Sequence, residues 1–184
     1  MRSSRMLVPA VLSVIGVLVL VVSPVYGQEF CFQPAVNYAA GDRPHSVSTA
    51  DLDGDNDADL AVANYYSDSV SVLKNNGDGT FASAVKYGAG DDPSEISAAD
   101  LDEDNDVDLV VANVNSNNVS VLKNNGDGTF AAAVNYPAGN YPRSVYAADL
   151  DGDNDADLAV ANFWSDIVSV LGNNGDGTFG AAAS

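Results

Sequence analysis

Basic residues are scarce in this chain. Lys and Arg together number 7 against 26 Asp and Glu, among 184 residues. So little positive charge cannot neutralise phosphates, which excludes nucleic acid and anionic membrane surfaces as partners. Cysteine occurs once, at Cys31, so no internal disulfide forms. A lone thiol in such a chain is more commonly part-buried than paired with another chain. Histidine also occurs once, at His45. One His and one Cys supply neither a zinc nor a copper site, and no Ser-His-Asp set can be built from them. No Gly-rich phosphate loop precedes a helix. Beyond the N-terminal segment, no eleven-residue window carries helical periodicity.

The one long apolar run, Met6 to Val22, follows the basic residues Arg2 and Arg5. It is short for a membrane span and contains Pro9. "SPVYG" then places Val25 and Gly27 at the spacing of a signal-peptidase site. Residues 1–27 are therefore expected to be a signal peptide, leaving 28–184 as a secreted or cell-surface domain with no membrane insertion after cleavage. With 1–27 set aside, 5 basic residues face 26 acidic ones, a formal charge of −21.

That charge is concentrated. "DLDGDNDADL" from Asp51, "DLDEDNDVDL" from Asp100 and "DLDGDNDADL" from Asp149 follow one another at intervals of 49 residues and hold 16 of the 26 acids. Phe32, Phe81, Phe130 and Phe179 share the period, as do Asn64, Asn113 and Asn162, and "NNGDGTF" from Asn75, Asn124 and Asn173. A period of this length marks arrays, solenoids or propellers. Units are drawn at 32–80, 81–129 and 130–178, with the start of a fourth at 179–184. In the first unit, Ala35–Tyr38, Ser46–Ala50, Leu60–Asn64 and Val70–Leu73 read as strands, being Val-rich and bounded by Asn, Asp and Gly. Four strands per unit is the makeup of a β-propeller blade, so the expected fold is all-β with three antiparallel blades. A calcium-binding parallel β-helix has a much shorter repeat, which is absent. Closed propellers need about four to eight blades. Three units imply a fragment, an open array, or copies that associate to cover open blade edges.

Within the first Asp-rich loop, positions 1, 3, 5 and 9 are Asp51, Asp53, Asp55 and Asp59, and position 7 is Asp57. A tight loop round a cation brings those four carboxylates and the position-7 carbonyl inward, the oxygen shell that calcium prefers. The corresponding sets are Asp100, Asp102, Asp104, Asp106 and Asp108, and Asp149, Asp151, Asp153, Asp155 and Asp157. Position 6 must bend sharply, and Asn56, Asn105 and Asn154 stand there, asparagine being the residue after glycine that best adopts the left-handed conformation. Position 4 points outward, which accommodates Glu103 beside Gly54 and Gly152. A solvent-facing edge strand is the alternative, but Asp, Asn and Gly are poor strand formers. Two carboxylates about 4 Å apart repel by roughly 4 kcal/mol at an effective dielectric near 20. Only a cation between them relieves this. About three Ca²⁺ ions, one per repeat, are expected. Magnesium seldom fills such a cage, and an EF-hand is excluded because Val62, Val111 and Val160 occupy its position 12.

"DLDGDNDADLAVAN" followed by "VSVLKNNGDGTF" resembles the VCBS repeat of the FG-GAP superfamily, the blade type also found in integrin α-subunit propellers. The resemblance covers all three units. It implies seven-bladed propellers in closed members, with calcium held by the fifteen aspartates named above, those at position 7 through the backbone. Asn in place of the loop glycine is a departure that implies slightly weaker affinity.

The remaining candidates are weaker. One carboxylate per "NNGDGTF" turn is too few for an ion, so Asp78, Asp127 and Asp176 belong to hairpin turns followed by a Phe packed between blades. His45 has no counterpart in the other units and reads as an exposed loop residue. The connection after each "VAN" varies ("YYSDS", "VNSNN", "FWSDI") and carries Tyr65, Tyr66, Phe163 and Trp164. Exposed, these aromatics suit sugar stacking or a protein partner; alternatively, alternate members of these pairs pack on a neighbouring blade, the favoured reading. Together these features predict a non-catalytic calcium-binding module for adhesion or recognition of carbohydrate or extracellular protein. The alternatives are an accessory or catalytic domain of a propeller lyase or hydrolase, and a structural piece of a larger surface protein.

Overall fold

The computed structural model describes residues 35–182. The expected signal peptide and Cys31 lie outside them. Among the described residues there is no helix. Eleven strands follow in order: β1 Pro44–Ala50, β2 Asp59–Asn64, β3 Ser69–Leu73, β4 Val85–Gly88, β5 Pro93–Ala99, β6 Asp108–Asn113, β7 Asn118–Leu122, β8 Val134–Pro137, β9 Pro142–Ala148, β10 Asp157–Asn162 and β11 Ile167–Leu171. They form three antiparallel sheets, β1-β2-β3-β4, β5-β6-β7-β8 and β9-β10-β11. The fold is all-β and built of open blades, as the repeat predicts. By the 49-residue period the counterpart of β8 begins at residue 183, outside the described residues.

The grouping of strands differs from the sequence expectation. Ala35–Tyr38 was expected to open the first unit's own sheet, yet residues 35–40 form no strand. Its repeat counterpart β4 pairs backwards with β3, Val70 facing Tyr87 and Val72 facing Val85. The first two blades thus take their outer strands from beyond the "NNGDGTF" turn. The physical reason is that a strand needs a neighbour to satisfy its backbone groups, and Ala35–Tyr38 has no β3-type strand before it among the described residues.

Local chemistry explains the turns. Between the second and third strands of each blade, Asp68, Asn117 and Asp166 take φ of 47°, 54° and 56°, the left-handed conformation that Asp and Asn tolerate best. The "NNGDG" turns place Gly77 and Gly79 at φ 80° and 79°.

The core lies between blades. One cluster joins Leu52, Ala61, Val70 and Val72 of the first blade to Ile96, Leu109 and Leu122 of the second. A second joins Leu101, Val110, Val119 and Val121 to Val145, Leu158 and Leu171 of the third. Each strand alternates its side chains between two faces, so the second blade has a leading face that meets the first blade and a trailing face that meets the third.

Polar groups inside this core are matched in the first blade, whereas Oδ1 of Asn113 and of Asn162 is buried without a hydrogen-bond partner. Asn64 is fully buried; its Oδ1 accepts from the Gly41 N–H at 2.8 Å and its amide donates to Ser71 Oγ at 3.0 Å. A Cβ on Gly41, Gly90 or Gly139 would lie 2.4 to 2.8 Å from the side-chain carbon of Asn64, Asn113 or Asn162. Glycine is required there by close approach.

Candidate metal centre

Each Asp-rich loop links the first and second strands of its blade, and position 9 (Asp59, Asp108 or Asp157) is the first residue of the second strand. The loop folds back on position 1. Asp51 accepts the N–H groups of Gly54 and Asn56, both at 2.8 Å, and Asp149 accepts those of Gly152 and Asn154. Asn56, Asn105 and Asn154 have φ of 70°, 71° and 80°, as expected of position 6. Position 4 is also left-handed, at 78°, 61° and 89° for Gly54, Glu103 and Gly152. Nothing in the spacing announced that second bend.

The folded loop brings three carboxylates together. Oxygens of Asp51, Asp53 and Asp59 lie within 4.8 Å of one another, and so do those of Asp100, Asp102 and Asp108, and of Asp149, Asp151 and Asp157. Positions 5 and 7 are outside these triads. The carboxylates of Asp55, Asp104 and Asp153 accept the N–H of Asp57, Asp106 and Asp155, each at 2.9 Å. The side chain of Asp57 lies against the next turn, where a Cβ on Gly77 would stand 3.0 Å from its Oδ2.

Position 9 anchors each triad. Asp59 accepts from Leu52 N–H at 3.0 Å and Asn75 N–H at 2.7 Å; Asp108 does the same with Leu101 and Asn124. Burial raises the pKa of Asp59, and it raises that of Asp108 to about 6, because the two N–H donors only partly offset the lost solvation. Asp151 is raised chiefly by the negative charge of Asp153.

The donors within the first two loops leave oxygens over. Asp53 Oδ1, Asp100 Oδ1 and Asp102 Oδ1 are buried with no hydrogen-bond partner. Lys74 and Lys123 reach the other oxygen of Asp53 and Asp102, at 3.2 and 3.1 Å, and donate onward to the backbone carbonyls of Asp127 and Asp176 in the following blade. Gly172 stands where the third blade would have that lysine. Carboxylate oxygens that converge while lacking donors fit a hard cation with oxygen ligands. The three acidic triads, one per repeat, could each bind a metal ion.

The family model described as FG-GAP-like repeat matches residues 51–111 and 100–160, more than half of the chain. The chain belongs to this family. Each match runs from one Asp-rich loop into the second strand of the next blade, and the two matches begin 49 residues apart, in step with the repeat. No curated protein matches the chain. Among solved structures, a chain of the Tc holotoxin pore of Photorhabdus luminescens aligns at 23% identity with a TM-score of 0.46. The alignment covers 74% of this chain and 7% of that one.

The other candidates have clear places in the FG-GAP blades. Asp78, Asp127 and Asp176 each accept from the N–H and hydroxyl of the Thr two residues on, which holds their pKa low. They close turns, as expected. Phe130 and Phe179 are buried between blades and meet Tyr87 and Tyr136 edge-on at 5.4 Å. His45 is exposed but lies within β1, not in a loop, and its Nδ1 sits 2.7 Å from the Ser94 carbonyl oxygen. At the variable tips, Tyr66, Phe163 and Trp164 are more than 60% exposed and Tyr65 is half-buried, so the first pair divides as the packing reading expects and the second pair does not. Trp164 stacks on Tyr141 with centroids 4.3 Å apart and planes 11° from parallel, and Arg43 lies over Tyr66 at 4.4 Å.

Proposed function

We propose that the protein is a secreted, non-catalytic recognition module whose FG-GAP-like blades are held by calcium, about one ion per repeat. The observation that supports this best is the convergence of three carboxylates in every loop while Asp53, Asp100 and Asp102 keep buried oxygens without donors. Asp51, Asp53 and Asp59 would hold the first ion, Asp100, Asp102 and Asp108 the second, and Asp149, Asp151 and Asp157 the third. Asp55, Asp104 and Asp153, with the carbonyls of Asp57, Asp106 and Asp155, are the further ligands that the family resemblance implies. The ion supplies charge neutralisation and fixes the loop. The exposed aromatics Tyr66, Phe163 and Trp164 are the surface we assign to the ligand, a carbohydrate or an extracellular protein, because flat exposed rings beside polar groups favour stacking.

Calcium titration of the purified chain tests the first part. Extracellular calcium modules commonly bind with dissociation constants of about 10⁻⁴ to 10⁻³ M. At about 2 mM free ion, each site then adds roughly 0.6 to 1.8 kcal/mol of stability. Chelation should lower the melting temperature by many degrees, with little recovery in magnesium. Joint replacement of Asp51, Asp100 and Asp149 by Ala should make melting indifferent to calcium. Identical melting in EDTA and calcium, with no ion bound on titration, overturns the metal reading. A glycan array probed in calcium with wild type and Trp164→Ala tests the surface; binding unchanged by that substitution moves the ligand elsewhere.

A further inference from the structure

The two internal blade junctions show what covers each face, and among the described residues the end blades leave one face of each kind open. On the leading face, Ile96 and Val145 are 5% and 2% exposed, whereas Val47 at the same position of the first blade is 59% exposed. On the trailing face, Leu52 and Leu101 are each 2% exposed and Val70 and Val119 are fully buried, whereas Leu150 and Val168 of the third blade are 50% and 60% exposed. The polar contacts follow the same division. Asn124 donates to the Leu52 carbonyl and Asn173 to the Leu101 carbonyl, both at 2.8 Å. Asn75 and Leu150 are the counterparts left without each other. Asp92 N–H donates to Asp68 and Tyr141 N–H to Asn117, at 2.9 and 2.8 Å; the open counterparts are Arg43 N–H and Asp166. Gly128 and Gly177 press on the loop of the preceding blade, while nothing among the described residues lies within 4 Å of the Cβ position of Gly79.

The outer strands agree. β4 and β8 read "VKYG" and "VNYP", and residues 36–39 read "VNYA". Tyr38 already meets Phe81 edge-on at 5.3 Å, as Tyr87 meets Phe130. The segment is set as the outer strand of a preceding blade, and among the described residues β11 is the outermost strand of the third sheet.

We propose that the leading face of the first blade docks on the trailing face of the third blade of a second copy, by the contacts that join consecutive blades within the chain. In that register Asn75 of one copy donates to the Leu150 carbonyl of the other. The two faces differ, so the contact is head-to-tail and must close into a ring or continue as a filament. The described residues of two copies carry six blades, inside the range of about four to eight that closes a propeller. The occupant is a second copy because the complementary face is present on the same molecule, with its hydrogen-bonding groups in the same positions.

Sedimentation of the chain, expressed from its full reading frame, tests this. At about 100 µM, a concentration that populates complexes much weaker than nanomolar, the mass should be that of two chains. Val47→Glu and Val168→Glu each alter a side chain exposed in the single copy, so the blades should fold as before by circular dichroism. Each variant alone should be monomeric, with association weakened about 30-fold or more. Mixed one to one, they retain one good face each and should form a dimer through a single junction. That dimer needs a higher concentration than the closed ring, by about 100-fold or more. A wild-type monomer overturns the proposal. So does a variant that still dimerises alone, which indicates a symmetric contact, or a mixture that stays monomeric at that raised concentration.

Discussion

The side-chain amide of Asn124 donates to the backbone carbonyl of Leu52 at 2.8 Å, although 72 residues separate them in the chain. The same amide reaches the Val107 carbonyl at 3.0 Å, and its Oδ1 accepts from Gly126 and Gly128. One side chain therefore shapes its own turn, holds its own Asp-rich loop and ties that loop to the previous one. The turn sequence and the acidic loops, separate features along the chain, form one junction in space.

Replacing Asn124 with Ala should leave several buried groups without partners, and such losses cost about 1 to 3 kcal/mol each where water cannot enter. We expect a destabilisation of about 2 to 4 kcal/mol by urea unfolding. Asn75→Ala is the internal control, since Asn75 bonds only its own blade, at Ala58, Gly77 and Gly79. In dilute protein its loss should be about half as large. Equal losses would mean that the inter-blade bond contributes nothing.

Leu60 and Leu109 occupy the same repeat position in different surroundings. Leu109 is fully buried against the first blade, whereas Leu60 is half-buried. Truncating a buried leucine to alanine typically costs about 2 to 5 kcal/mol and less where water already reaches the site. Leu109→Ala should therefore fall at about 3 kcal/mol or more and Leu60→Ala at roughly half that. Calorimetry on both variants at low concentration decides it, and a larger loss for Leu60 would contradict the face assignment.

Glu103 is held at φ 61°, where the other two loops have glycine. A non-glycine residue in that region costs about 1 to 3 kcal/mol, against about 0.5 to 1 kcal/mol for the extra freedom of glycine in the unfolded chain. Its charge also adds to the repulsion that raises the pKa of Asp155, after desolvation and Asp153. Glu103→Gly should thus stabilise the protein by about 1 kcal/mol. A lower melting temperature for this variant would show that the Glu103 side chain makes a favourable contact outweighing its backbone strain.

The Asp127 carboxyl is held below its ordinary value by the hydroxyl and N–H of Thr129. A depressed carboxyl contributes stability that is present above its unfolded value of 3.8 and is lost as pH falls through the folded value. Thr129→Val removes the hydroxyl bond, so the Asp127 titration midpoint followed by carboxyl NMR should move upward. An unchanged midpoint would assign the depression to the backbone N–H alone.

What the sequence determined by itself is what neighbouring residues encode. Val-rich runs set the strands, Asn and Gly at fixed offsets set the bends, and five aspartates in ten residues mark each loop as a site of concentrated charge. The left-handed φ of Asn56, Asn105 and Asn154 was legible because asparagine tolerates it in any context. What the tertiary structure decided depends on partners far along the chain. That β4 completes the sheet of β3 is a choice of hydrogen-bonding neighbour, and a strand's own residues read alike whichever neighbour it takes. That Asp59 stands against Asp51 and Asp53 depends on the Leu52 and Asn75 N–H groups that hold it, the latter 16 residues further along the chain. Val47, Val168 and Leu150 look like core residues in the sequence and are exposed in the fold, because burial is decided by which blade stands opposite.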